Sequence, residues 1–172
     1  MTKTLLVRLA VAAAVASGGM LAVSTPASAA VTYQRISVYN SGLVAAVPSP
    51  FTTNDLQLET AVYGVNAWNG QWSLTSVGAD TYTFENRYSH QCLDTENGNS
   101  LTAGTPVVQR PCDGTQSQKW VRTLDAVLPI WRISNVWSGL YLGVENGSAS
   151  EGAGFIQANY APNNTSRMFQ MW

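Results

Sequence analysis

The sequence predicts an all-β protein built of three pseudo-equivalent units, and two observations carry that prediction. The first is a repeat. Tyr33–Ser37 (YQRIS), Tyr82–Asn86 (YTFEN) and Trp131–Asn135 (WRISN) are similar, and their leading aromatics lie 49 residues apart both times. Trp72, Trp120 and Trp172 close the units at spacings of 48 and 52. Self-similarity at such a period is the signature of a repeat architecture. The second observation is the texture inside each unit. Tyr82, Phe84 and Asn86 alternate, as do Trp131, Ile133 and Asn135, which is strand periodicity. Short runs such as Val107-Val108-Gln109 and Tyr141-Leu142-Gly143-Val144 are bounded by Gly, Asn, Ser and Pro. No stretch shows sustained helical periodicity with caps. Four short strands per unit give about twelve. Three units are too few for an open solenoid with capping repeats, so a closed threefold arrangement is expected, with Trp72, Trp120 and Trp172 entering a shared core.

The chain of 172 residues opens with a leader. Lys3 and Arg8 precede an uncharged run, Leu9 to Val23, and Ala27-Ser28-Ala29 follows as a small-x-small cleavage signal. This is the pattern of a secretory signal peptide over residues 1–29. The apolar run falls short of the ~20 residues a spanning helix needs, and Ser17-Gly18-Gly19 interrupts it. Residues 30–172 then form one domain, with units at about 33–72, 82–120 and 131–172. After cleavage no membrane partner is expected, and the protein is expected to be extracellular.

All ten acidic residues and seven of the nine basic ones follow Ala29, leaving that part a net charge of −3 with Lys119 as its only lysine. Without a basic patch, nucleic acid is not expected as a partner. Charged residues make up 11% of the chain, well under the usual ~25%, so the surface must be covered by Asn, Gln, Ser, Thr and Gly. Such a surface suits neutral ligands rich in hydroxyls. The two cysteines, Cys92 and Cys112, read as a disulfide in an exported chain, with two buried free thiols as the alternative. Closing a loop of about 20 residues is worth roughly 3 kcal/mol in the chain-entropy model.

The middle unit carries a resemblance. Ser89-His90-Gln91-Cys92-Leu93-Asp94, then Gly104-Thr105-Pro106-Val107-Val108-Gln109, then Cys112, then Gln118-Lys119-Trp120 resemble a ricin B-chain type repeat, and the Gln-x-Trp ending recurs as Gln170-Met171-Trp172. The resemblance is strong over 82–120, fair over 131–172 and weak over 33–72. It implies a β-trefoil with up to three shallow sugar pockets, and it supports the Cys92–Cys112 bond. It also implies a pocket in which an aspartate accepts hydrogen bonds from two sugar hydroxyls, an aromatic ring stacks on the sugar, and an asparagine and the Gln of Gln-x-Trp complete the contacts. Hydrogen bonds to a charged acceptor are worth about 1.5–3 kcal/mol, so the aspartate is the hardest part to lose.

Transferred residue by residue, the middle unit supplies Asp94 and Gln118. It departs at Arg110, where the family has Trp or Tyr, and at Ser117, where it has Asn. Arg110 would lie against a sugar ring, donate hydrogen bonds, or pair with Asp94 and block the pocket. Asp94 could equally serve a turn by accepting backbone N–H groups. In the third unit, matching Tyr141-Leu142-Gly143 to Cys92-Leu93-Asp94 puts Gly143 at the aspartate, Ala158 at the stacking position and Phe169 at the asparagine. Tyr141 and Tyr160 then replace the disulfide, and the segment from Tyr160 to Trp172 is four residues longer than its counterpart. In the first unit, Leu43-Val44-Ala45 stands opposite Cys92-Leu93-Asp94, Gln71 sits next to Trp72, and Pro48 to Asn54 forms a loop.

Enzymatic chemistry has little support. His90 is the only histidine and sits in a turn; one His and no further thiol exclude an ordinary zinc site. No Gly-x-Ser-x-Gly, Walker loop or His-Glu-x-x-His occurs. Asp94 and Glu96 could pair as glycosidase carboxylates, but a solvated strand end explains them as well. The expectation is a monomeric, stand-alone, non-enzymatic lectin without cofactor, binding a galactose- or xylose-type glycan through Asp94, Arg110, Ser117 and Gln118. The alternative is a degenerate trefoil that binds protein, for example an inhibitor acting through the third-unit segment around Asn163.

Overall fold

A computed structural model describes residues 30–64, 67–126 and 128–172; the leader expected over 1–29 lies outside the described residues. The first unit forms β1 (Tyr33–Gln34), β2 (Ile36–Val38), β3 (Val44–Ala46), β4 (Leu56–Gln57), β5 (Glu59–Ala61) and β6 (Trp72–Gly78). The second forms β7 (Thr81–Asn86), β8 (Gln91–Thr95), β9 (Val107–Pro111) and β10 (Trp120–Leu124). The third forms β11 (Trp131–Asn135), β12 (Tyr141–Val144), β13 (Phe155–Ala158) and β14 (Phe169–Met171). Pairs β1/β2 and β4/β5 are each one strand broken by a single residue, so every unit has the expected four.

Antiparallel pairing closes a six-stranded barrel. β6 pairs β7, β7 pairs β10, β10 pairs β11, β11 pairs β14, β14 pairs β2, and β1 returns to β6. Closure leaves the barrel no free edge. Three further pairings, β3–β5, β8–β9 and β12–β13, are hairpins that cap it. This is the β-trefoil. No helix among the described residues is long and apolar enough to cross a membrane.

The core is built from threefold sets. Ile36, Phe84 and Ile133 form one; Ala45, Leu93 and Leu142 a second; Leu58, Val107 and Phe155 a third; and all nine are fully buried. The closing set is Trp72, Trp120 and Phe169, also fully buried. Trp72 and Trp120 donate their indole N–H to the carbonyls of Ala45 and Leu93, both at 3.0 Å.

Three expectations from the sequence are corrected here. Trp172 is not a core residue: it is 62% exposed, and Phe169 takes its place. A short 3-10 turn fixes the register, because Trp68–Gly70, Gln116–Gln118 and Thr165–Arg167 each end two residues before the closing aromatic. The closing spacings are therefore 48 and 49, and the third-unit segment is only one residue longer than its counterpart. The residue opposite the closing aromatic is Gln34, Tyr82 or Trp131, so Gln34 rather than Tyr33 heads the first unit. Finally, Val44-Ala45-Ala46 matches Cys92-Leu93-Asp94, one residue later than the sequence suggests, since Ala45 receives the Trp72 bond as Leu93 receives that of Trp120.

Buried amides lock the units together. Gln109 donates to the Phe51 and Thr53 carbonyls of the first unit, and Gln157 to that of Ser100 in the second. Asn135 donates to the Ser117 carbonyl at 2.6 Å and accepts from the backbone N–H of Trp137 and Ser138. Such satisfied polar networks fix one arrangement of an otherwise apolar core. Asn135 also aims the start of the third unit at the edge of the second.

Candidate functional site

The three units share one backbone but not one chemistry. At the aspartate position stand Ala46, Asp94 and Gly143; at the stacking position Ala61, Arg110 and Ala158; at the last two positions Asn69-Gly70, Ser117-Gln118 and Ser166-Arg167. Ser166, not Phe169, therefore holds the asparagine place in the third unit. Only the middle unit unites a carboxylate with a glutamine.

Gln118 is fixed on all sides. Its Nε2 donates to the Pro111 carbonyl at 2.8 Å and to Asp94 Oδ2 at 3.1 Å. Its Oε1 accepts from the Asp113 and Gly114 amides at 2.9 and 3.3 Å. Asp94 Oδ1 accepts the N–H of Thr95 at 2.7 Å. The carboxylate is thus both a turn acceptor and a held, oriented acceptor with lone pairs to spare. Cys92 and Cys112 are joined by a disulfide with Cα atoms 5.0 Å apart, tying β8 to the segment beyond β9.

Arg110 does not pair with Asp94. Its Nε binds Asp55 Oδ1 at 3.1 Å. Asp55 belongs to the loop of the first unit and donates its backbone N–H to the Gln109 carbonyl. Arg110 and Asp94 sit on the same face of the β8–β9 hairpin, because the register places Cys92 opposite Arg110 and Asp94 opposite Val108. The guanidinium runs beside Gly98, where a Cβ would sit 2.8 Å from Arg110 Nη1. Gly98 has φ +69°, so glycine is required there for backbone and for space. Asp94 is only 1% exposed. The structure therefore brings Asp94, Arg110, Ser117 and Gln118 to one end of the β8–β9 hairpin, with the acid buried and Arg110 held by the loop of another unit.

Beside Ser117 opens a cleft of about 390 Å³, lined by Gly98, Asn99, Thr115, Gln116, Ser117 and Trp137. Trp137 comes from the third unit, is 49% exposed, and donates its indole N–H to the Asn99 carbonyl at 2.9 Å. The sequence reading missed it. The signal was an aromatic two residues after a buried asparagine, present as Tyr88 after Asn86 and Trp137 after Asn135. Asp55 was missed as well, and no local pattern marks it.

Among the described residues the other units lack this arrangement. Arg167 crosses Gly143 so closely that a Cβ there would lie 3.0 Å from Arg167 Cγ. Tyr141 and Tyr160 meet with centroids 5.2 Å apart, replacing the disulfide as expected. The first unit presents only Ala46 and Ala61 on β3 and β5. Among the described residues, no three His, Cys, Asp or Glu side chains group to hold a metal.

A β-trefoil with one buried carboxylate–glutamine pair next to a Trp-walled cleft, which Ser117 lines, has the architecture of a lectin-like module. The sequence profile of the ricin-type beta-trefoil lectin domain-like family matches residues 25–110 and 97–158, well over half the chain. The protein belongs to that family. No curated protein matches it in sequence. Among solved structures it is similar to ThreeFoil, a designed threefold symmetric protein, with 28% identity, TM-score 0.75, and coverage of 81% of this chain and 96% of that one. An exo-beta-1,3-galactanase from Clostridium thermocellum is 24% identical, TM-score 0.73, over 81% of this chain but only 30% of the enzyme. The Macrolepiota procera ricin B-like lectin in complex with lactose is 14% identical, TM-score 0.66, over 84% and 97%. The last two are likenesses of fold.

Proposed function

We propose that the protein is an exported, non-enzymatic lectin that takes a neutral galactose- or xylose-type glycan at one site, in the middle unit. The observation that carries this is the Asp94–Gln118 pair beside the Trp137 cleft, found in no other unit. Asp94 would accept from two adjacent hydroxyls, Gln118 keeps the carboxylate turned toward them, and the Ser117 hydroxyl adds a short polar contact. Trp137 supplies from the third unit the aromatic wall that Arg110 cannot. Asp94 is 1% exposed, so sugar entry requires neighbouring side chains to shift, Arg110 on the same hairpin face among them, and the resting site is closed. That motion and the shallow cleft put affinity near millimolar, about −4 kcal/mol.

Several features support this reading: membership of the lectin family, a low charge fraction, and structural neighbours that include a lactose complex. The protein-binding alternative loses its main ground, because the third-unit segment is nearly the length of its counterpart. Arg132 also ties that segment down at the Pro162 carbonyl, 2.6 Å away. Titration with lactose, galactan fragments and xylo-oligosaccharides by NMR or calorimetry tests the proposal. Binding abolished by Asp94→Ala and weakened by Trp137→Ala is expected. Binding indifferent to Asp94→Ala, or absent for every neutral glycan, overturns it.

A further inference from the structure

The outer wall of the barrel in the first unit carries a second constellation, remote in kind from the hairpin site. The register places Asn86, Trp72 and Gln34 side by side on β7, β6 and β1. One residue along, Arg87, Gln71 and Arg35 therefore form an outward row, since strand neighbours alternate in direction. Trp172 extends the row, because the Arg35 amide donates to the Trp172 carbonyl at 3.0 Å. The two arginines leave the sheet from backbones about two interstrand spacings apart, roughly 10 Å.

Each guanidinium lies against two aromatic rings. The Arg35 Cζ lies 3.3 Å from the Tyr63 ring centroid and 4.2 Å from that of Trp172. That of Arg87 lies 4.6 Å from Tyr33 and 4.5 Å from Trp68. The Tyr63 and Trp172 rings are inclined at 61° to each other, and since a guanidinium carries five N–H donors, contact with two rings leaves N–H groups for further bonding. Arg87 uses one edge on Gln71 Oε1 at 2.6 Å. Among the described residues neither guanidinium has an Asp or Glu carboxylate within 4.0 Å. The acid on the adjoining row, Glu85, faces His90 at 3.1 Å. Trp68 and Trp172 remain about half exposed or more, at 48% and 62%.

We propose that this wall binds a polysaccharide bearing uronate carboxylates, separately from the neutral-glycan site. An edge-on guanidinium matches a carboxylate in bidentate geometry. Two such forks, held apart by the sheet, match carboxylates spaced along an extended sugar chain. The exposed rings at either end offer flat faces for the apolar sides of pyranoses. Charge complementarity is local: the chain as a whole carries a net charge of −1, so general attraction to polyanions is absent and the row must supply it. An acidic peptide could satisfy the charges but has no flat ring faces to lay on Trp68 and Trp172.

Affinity electrophoresis of the full chain tests this, with gels containing polygalacturonate, its fully methyl-esterified form, or polyglutamate. Retardation by polygalacturonate alone is expected. It should fall at least tenfold in Arg35→Gln/Arg87→Gln and persist in Asp94→Ala, which separates this site from the neutral-glycan site. Because the double variant also removes the stacked cations, Gln71→Glu serves as the deciding change. It leaves both arginines in place, offers Arg87 a carboxylate where an amide oxygen now sits, and should abolish retardation without lowering the melting temperature. Absence of retardation, equal retardation by the methyl ester or polyglutamate, or indifference to Gln71→Glu each overturn the proposal.

Discussion

The middle and third units have the same strand pattern, the same 3-10 turn and matching core positions, yet only one pairs a carboxylate with a glutamine. Leu93 and Leu142, Val107 and Phe155, Trp120 and Phe169 fill matching places in one core. On the hairpin faces above them, Asp94 faces Gln118 while Gly143 lies under Arg167. Frame and chemistry therefore rest on different residues. The inward set answers to packing, which every unit must satisfy. The hairpin-face set is free of that demand, and the proposed function needs it in one unit alone.

The largest expected effect breaks the frame. Trp120→Ala or Phe169→Ala removes a fully buried ring and should cost about 3–5 kcal/mol, read as a lower denaturation midpoint. Trp172→Ala should cost no more than about 1 kcal/mol, the scale of an exposed cation–π contact. Equal losses at 169 and 172 would refute the register that puts Phe169 in the core. Next comes the staple. Replacing Cys92 and Cys112 by serine should cost about 2–4 kcal/mol, whereas Tyr141→Ala, breaking the ring pair that replaces the staple in the third unit, should cost less. Denaturation of both variants with matched slopes decides.

The frame was legible in the sequence wherever the repeat was exact in type, as at Trp72 and Trp120, and misread where the type changed. Phe169 performs the same packing as a tryptophan without an indole N–H, so a search for Gln-x-Trp passes over it and stops at the exposed Gln170-Met171-Trp172. The Leu43/Val44 slip has the same cause: Ala45 is too small to mark its own alignment with Leu93. Asp94 and Gln118 were legible because their chemistry permits few substitutes. Trp137 and Asp55 were not, because both reach the site from another unit, and only the threefold closure brings residues that far apart in sequence together.

A graft sharpens the comparison. Gly143→Asp clashes with Arg167 as the third unit stands, but Gly143→Asp with Arg167→Gln should restore the carboxylate–glutamine pair. Calorimetric stoichiometry should rise from one glycan per chain toward two, with the new site weaker for lack of a Trp137 counterpart. A stoichiometry of one with an intact fold would mean that the pair alone does not make a site. Closer to the resting site, Asp55→Asn should free Arg110. A partly exposed ion pair is worth at most about 1 kcal/mol, so galactoside affinity should rise by no more than about fivefold. No change would mean that Arg110 does not gate Asp94.

The smallest effect concerns the loop that forms one wall of the middle cleft and has no equivalent acid in the third unit. The Asp113 carboxyl is held below its ordinary pKa, first by the Thr115 backbone N–H at 2.9 Å and then by the Thr115 hydroxyl at 2.7 Å. The folded form thus prefers the carboxylate more than the unfolded chain does. Its contribution to stability is complete above the unfolded pKa and is lost as pH falls through the lower, folded value. The loop also presents the amides of Asp113 and Gly114 to Gln118, so loosening it releases the residue that aims Asp94. Melting temperatures of the native protein and Asp113→Asn, compared from neutral pH into the acid range, should differ slightly at neutral pH and converge at the acid end. A gap constant across that range would show that the Thr115 bonds do not depend on the charge, and the loop would then be held by Gln118 alone.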